Sequence, residues 1–207
     1  MFVDGRPRDR ANVLGSSAPG RGRRQGRARG LPVAREPRKS REGNSHSPLM
    51  LVGEQPGDDE DRAGRPFVGP AGRLLDGALA RLGLDRRATY VTNAVKHFKW
   101  EPRGKRRIHQ KPGAREIAAC RPWLEAEIAL VRPKVIVCLG ATAAQVLLGR
   151  QFRVSVARGR FVPSPLAPHV MATVHPSAIL RAPDDETRRA EMDRFAEDLR
   201  KAAAVLG

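Results

Sequence analysis

The sequence predicts an α/β fold, a parallel sheet covered by helices, and three observations carry that expectation. From Leu49 onward, short apolar runs alternate with amphipathic stretches, the pattern that crossover helices between strands produce. Four of those runs have the length and composition of buried strands. The chain of 207 residues is long enough for one domain with a real core and too short for two large ones.

The elements follow in order. Leu49 to Val52 reads as a first buried strand, and Leu74 to Leu82 as a helix by its apolar spacing. Thr89 to Val95 is the second strand. Arg115 to Leu130 is a longer helix with Ile117, Trp123, Leu124 and Ile128 turned inward. Val135 to Leu139 is the third strand, ended by Gly140, and Ala141 to Leu148 is a helix. Val170 to Val174 supplies the fourth strand and Glu186 to Val205 a last amphipathic helix. No internal repeat is visible. Strands separated by helices are normally parallel, so the ends of the first, second and fourth should open on one rim, where sites in such sheets lie.

Residues 1–48 are rich in Arg, Gly, Ser and Pro, with twelve Arg or Lys against four Asp or Glu. They are expected to form a disordered basic arm, either solvated or in contact with phosphates, ahead of a domain over 49–207. The formal net charge of the whole chain is +17, which suits a polyanion such as nucleic acid. No run of about eighteen apolar residues and no secretory signal is present, so a cytoplasmic protein without a membrane partner is expected. Two cysteines, Cys120 and Cys138, can form neither a disulfide framework nor, alone, a four-ligand metal site.

Polar groups gather at the predicted strand ends: Gly53-Glu54-Gln55-Pro56-Gly57 after the first, Asn93 in the second, and His175-Pro176-Ser177 after the fourth. Singly, each is an ordinary turn or a structural histidine; their coincidence on one rim is the signal. The Gly-rich turn alone would also suit a nucleotide-binding α/β protein, but neither GxGxxG nor a Walker lysine occurs. Asn93 offers one hydrogen-bond acceptor and one donor on that rim. Glu54 and His175 add a carboxylate and an imidazole.

The segments GEQPGDDEDRAGRPFVGPAGRLLD, YVTNAVKHFKW, KRRIHQKP and TVHPSAILR together resemble UdgX, the X-type branch of the family 4-like, iron–sulfur uracil-DNA glycosylase superfamily. The resemblance runs from about Leu49 to the C-terminus. It implies a three-layer α/β/α sandwich around a four-stranded parallel sheet. It implies uracil flipped from DNA, with Gly53, Phe67 and Asn93 at the base and Glu54, Gln55, His109 and His175 in catalysis. In such proteins the His of the KRRIH loop, here His109, attacks the sugar and stays joined to it, a single-turnover reaction. Lys105, Arg106, Arg107 and Ser177 would contact DNA. The implied partner is uracil-containing, single-stranded DNA, met by a monomer.

The superfamily branch also implies a [4Fe–4S] cluster, for which His97 and Cys120 occupy two ligand positions while the upstream cysteine pair is absent. Cys138 reads as a core residue. Two other activities stay open on the sequence: hydrolysis with water aligned by Glu54, and a non-catalytic uracil-DNA-binding remnant.

Overall fold

The computed structural model describes residues 41–207, so most of the arm expected over 1–48 lies outside the described residues. Strand β1 (Leu49–Gly53) leads to helices α1 (Asp58–Ala63) and α2 (Pro70–Arg81) and then to β2 (Thr89–Asn93). Next come β3 (Trp100–Arg103), β4 (Arg106–His109), the long α3 (Ala114–Val131), β5 (Val135–Leu139) and α4 (Ala141–Leu148). They are followed by α5 (Val154–Ala157), β6 (Phe161–Val162), β7 (His169–Thr173), α6 (Pro176–Leu180) and α7 (Asp185–Ala204).

Every helix and strand expected from periodicity is present, with ends displaced by a few residues. Helix α2 begins ahead of its first apolar residue because Pro70 fills the first turn behind Gly69, a position where proline's fixed φ fits and its missing N–H is not needed. Helix α7 starts at Asp184, whose carboxylate accepts the Thr187 N–H at 2.7 Å. In α3, Glu116 reaches back to the Gly113 N–H at 2.7 Å.

The main sheet has the order β2-β1-β5-β7-β6. It therefore has five strands rather than the four expected. The first four run parallel, and β6 joins the edge antiparallel to β7 through only Phe161 and Val162, too short a piece to leave a period in the sequence. A second, two-stranded sheet pairs β3 with β4, where a basic loop was expected. Ahead of Leu49 the chain is already attached, since Glu42 and Val91 exchange backbone hydrogen bonds of 2.9 and 2.7 Å.

Strands β1, β2 and β5 are buried along their whole length, and β1 and β5 read as continuous apolar runs for that reason, whereas β2 also buries Thr89, Thr92 and Asn93. One face carries Leu49, Leu51, Val137 and Met171 against Leu75 and Leu79 of α2, Ile179 of α6, and Phe195 and Leu199 of α7. The other carries Met50, Val52, Ile136 and Cys138 against Leu124 and Ile128 of α3 and Ala143 and Val146 of α4. Each fully buried leucine stabilises the fold by roughly 2 kcal/mol.

Trp123 does not turn inward as expected; it is 50% exposed. The buried stripe of α3 is Cys120, Leu124, Glu127, Ile128 and Val131, and Trp123 lies one residue, about 100°, off that stripe. Glu127 takes a core position because Lys96 Nζ meets its carboxylate at 2.6 Å and Thr92 Oγ1 donates to it at 2.8 Å. That pairing ties α3 to the end of β2, beside Asn93. No helix among the described residues is long and apolar enough to cross a membrane.

Candidate active site

The chain passes from β1 to β2 on one side and from β5 to β7 on the other, so the sheet order reverses between β1 and β5. A ligand crevice is expected outside the strand ends at such a point. A cavity of about 820 Å³ opens there, lined by Glu54, Phe67, Asn93, His109, Thr142 and His175 among others. The three strand ends singled out in the sequence do share one rim.

Glu54 follows β1 and is gripped from the far side of the crevice by Thr142, in the first turn of α4, whose hydroxyl donates to Oε2. The other oxygen, Oε1, lies 3.2 Å from His109 Nε2. The carboxylate is therefore fixed in orientation, with one oxygen held by the scaffold and one turned toward the imidazole. His109 keeps about half of its side chain exposed, against 24% for Glu54.

Asn93 is buried, and its register partner across the ladder is Gly53. A Cβ on Gly53 would lie 2.3 Å from Asn93 Oδ1 and 2.9 Å from Phe67 Cζ. Glycine is thus required there because the amide and the ring both close on the backbone. Among the described residues no group hydrogen-bonds the Asn93 amide, which lines the cavity. Phe67 has φ of +55°, uncommon for a side-chain-bearing residue, and Gly72 gives its carbonyl room, since a Cβ there would sit 1.7 Å from Phe67 O. The Phe67 ring stacks on His175 with centroids 5.6 Å apart.

His175 precedes α6. Its Nδ1 accepts the Ser177 backbone N–H at 3.1 Å and lies 2.8 Å from Ser177 Oγ. Those bonds assign the ring proton to Nε2, because a nitrogen that accepts a backbone N–H carries no proton of its own. Burial lowers the His175 pKa to about 4, against the opposing pull of Glu54 and with the help of Arg181 and His109. At neutral pH the ring is therefore uncharged, a hydrogen-bond donor at Nε2. Ser177, expected on the DNA, is the group that fixes this tautomer.

Gln55 is buried and its amide is fully engaged away from the cavity centre. It donates to Lys99 O at 3.3 Å and Gln110 O at 3.0 Å and accepts the Lys99 N–H at 3.3 Å. The side chain clasps the two ends of the β3–β4 hairpin, one residue from His109. At the hairpin tip, Gly104 has φ of +59°, and Lys105 and Arg106 are exposed. Arg107, expected with them at phosphates, turns into the protein: it donates to Asp61 at 2.8 Å and pairs with Asp58. Its guanidinium lies over the rings of Phe98 at 5.3 Å and Trp100 at 5.4 Å.

His97 Nδ1 and Cys120 Sγ are neighbours at 3.7 Å. Among the described residues they are joined by no third candidate ligand, and the whole chain has no cysteine besides Cys120 and Cys138. A [4Fe–4S] cluster takes four ligands, so this pair does not fit one. Cys120 Sγ instead accepts the Lys96 N–H at 3.4 Å, and burial raises its thiol pKa. Cys138 is a core residue, as expected, its thiol pushed to about 12 by complete burial.

Sequence reasoning missed Thr142, the clasp made by Gln55 and the hairpin. A glycine between two polar runs, Gly104, was the available sign of a hairpin turn. Nothing in the sequence marks Thr142 apart from its place just after a strand.

Comparison with known proteins bears on the same segments. The family described as the uracil DNA glycosylase superfamily matches residues 40–200. A type-4 uracil-DNA glycosylase of Thermotoga maritima is 38% identical over 166 residues, covering 80% of this chain and 81% of that protein. A type-4 uracil-DNA glycosylase of Pyrobaculum aerophilum is 38% identical over 149 residues, 69% of this chain and 72% of its own length. A type-5 uracil-DNA glycosylase of the same organism is 32% identical over 182 residues, 80% of this chain and 75% of its own.

Proposed function

Because this chain belongs to the uracil DNA glycosylase superfamily, we propose that it is a uracil-DNA glycosylase of the X-type. In this reading it excises uracil from single-stranded DNA as a monomer and bonds His109 to the abasic sugar, in one turnover. Helices on both faces of the sheet support the three-layer α/β/α arrangement of that branch. The single observation that carries the reading is the 3.2 Å approach of His109 Nε2 to Glu54 Oε1 at the mouth of the cavity that holds Asn93 and His175.

The steps follow from the groups present. The flipped base enters the cavity and meets the Asn93 amide, which pairs with N3–H and O4; cytosine would leave buried groups unpaired. Phe67 lies along the base plane. The C1′–N1 bond breaks with its electron pair leaving on uracil, and the Nε2–H of neutral His175 donates to O2 as negative charge builds there. Glu54 faces the positive sugar. His109 then forms the new bond at C1′ as its Nε2 proton passes to Glu54, so the charge lost from the carboxylate reappears on the departing uracil. Lys105 and Arg106 hold phosphates beside the hairpin. Gln55, Arg107 and Ser177 act as positioning residues for His109 and His175.

The test is incubation with a labelled single-stranded oligonucleotide containing one uracil, followed by denaturing gel electrophoresis of wild type and His109→Ala. A band retarded in SDS that the substitution removes is the expected result. An alkali-labile abasic site without retardation would replace the adduct by hydrolysis through a Glu54-aligned water, and retained binding without base release would leave a DNA-binding remnant.

A further inference from the structure

The hairpin carries an exposed aromatic residue to which the proposed reaction gives no role. Trp100 is 41% exposed, in a chain with only two tryptophans. In the β3–β4 ladder it is the direct partner of His109. Cross-strand partners project from the same face of a sheet with their Cβ atoms about 5 Å apart. Trp100 therefore stands beside His109 on the same face of the hairpin.

The ring is also held in place. The guanidinium of Arg107 lies 5.4 Å from its centroid, and that guanidinium is itself fixed by Asp61 at 2.8 Å and by Asp58. A cation anchored by two carboxylates against the ring restrains it, so little side-chain freedom remains to be lost when something stacks on its exposed part. Farther along the hairpin Arg103, Lys105 and Arg106 are exposed, with Arg103 and Arg106 on the opposite face of the ladder from Trp100. A half-exposed aromatic ring backed by a fixed cation is a surface on which an unpaired nucleobase can stack.

We propose that Trp100 is a stacking platform for the base next to the flipped uracil, and that it selects unpaired strands because a paired neighbour could not leave its stack to reach it. The proposal rests on the reading of the cavity as a uracil-DNA site. It assigns to Trp100 the task of fixing the sugar's register against His109, one nucleotide step away.

The test uses the full chain with Trp123→Phe, which leaves Trp100 as the sole tryptophan. The probe is a fluorescein-labelled single-stranded oligonucleotide carrying one uracil on a 2′-fluorinated sugar, whose glycosidic bond breaks slowly because fluorine destabilises positive charge at C1′. A second probe is identical except that tetrahydrofuran replaces both nucleotides flanking the uracil. Anisotropy reports binding, and tryptophan emission reports stacking. The first probe is expected to quench the emission by at least half, and the second to bind about tenfold more weakly with little quenching. Trp100→Ala should lose about tenfold in affinity for the first probe and nothing further for the second, while Trp100→Phe restores most of the loss. Binding of the first probe without quenching, or a Trp100→Ala loss of equal size on both probes, overturns the platform alone. No anisotropy change with either probe overturns the platform and the uracil-DNA reading together.

Discussion

The surroundings of His175 keep its ring neutral at neutral pH. Its pKa falls from 6.5 to about 4 through burial, so between those values the unfolded chain binds a proton that the folded chain refuses. Stability therefore rises with pH across that window and is lost as pH falls through it. The difference is on the order of 3 kcal/mol, at about 1.4 kcal/mol per pKa unit. Thermal melts of wild type and His175→Gln from pH 4 to 8 should show wild type losing ground to the variant as pH falls, with parallel curves above pH 7; curves parallel throughout would mean the ring titrates normally. At this scale much of the crevice lining was legible: Glu54 and His175 sit at strand ends beside Gly53 and Pro176, and Asn93 ends β2 on the same rim. Thr142 was not legible, because a threonine in a helix's first turn looks the same whether its hydroxyl meets solvent or, as here, a carboxylate 88 residues away.

The β3–β4 hairpin shows why one element escaped periodicity. Its first strand is exposed along its length, so it has no buried face to impose an alternation of apolar and polar residues. Its position is set at the root by Gln55, through two donated bonds and one accepted, and at the side by Arg107 on α1. Each neutral bond contributes about 1 kcal/mol. Gln55→Ala should accordingly leave the fold and the affinity for uracil-DNA nearly unchanged. It should slow adduct formation about tenfold and speed hydrogen exchange at the hairpin amides, measured by quenched-flow gels and mass spectrometry. Faster exchange with an unaltered adduct rate would separate hairpin order from chemistry. The same residue shows the limit of motif reading: the sequence placed Gln55 beside Glu54, but only the packing of Lys99 and Gln110 around it reveals which way its amide faces.

Across the whole molecule the sheet was readable because β1 and β5 are buried on both faces and carry almost only apolar side chains, whereas β6 adds two residues at an edge and imposes almost nothing on composition. Charge is the other global property. A net +17 makes DNA affinity fall steeply with salt, by a slope near 0.7 for each phosphate contact on a single strand. Deleting residues 1–40, which hold eleven Arg or Lys against three Asp or Glu, should flatten a plot of log affinity against log salt while leaving uracil discrimination intact; an unchanged slope would remove the arm from the interface. In the proposed reaction discrimination resides elsewhere, on the ladder between β1 and β2, where Gly53 is the rung opposite Asn93. The residue proposed to read the base and the one proposed to face the sugar thus belong to neighbouring strands, whose backbones lie about 4.8 Å apart. Backbone hydrogen bonds set that ruler, so a substitution at Asn93 can alter which base is accepted without moving the chain that carries Glu54.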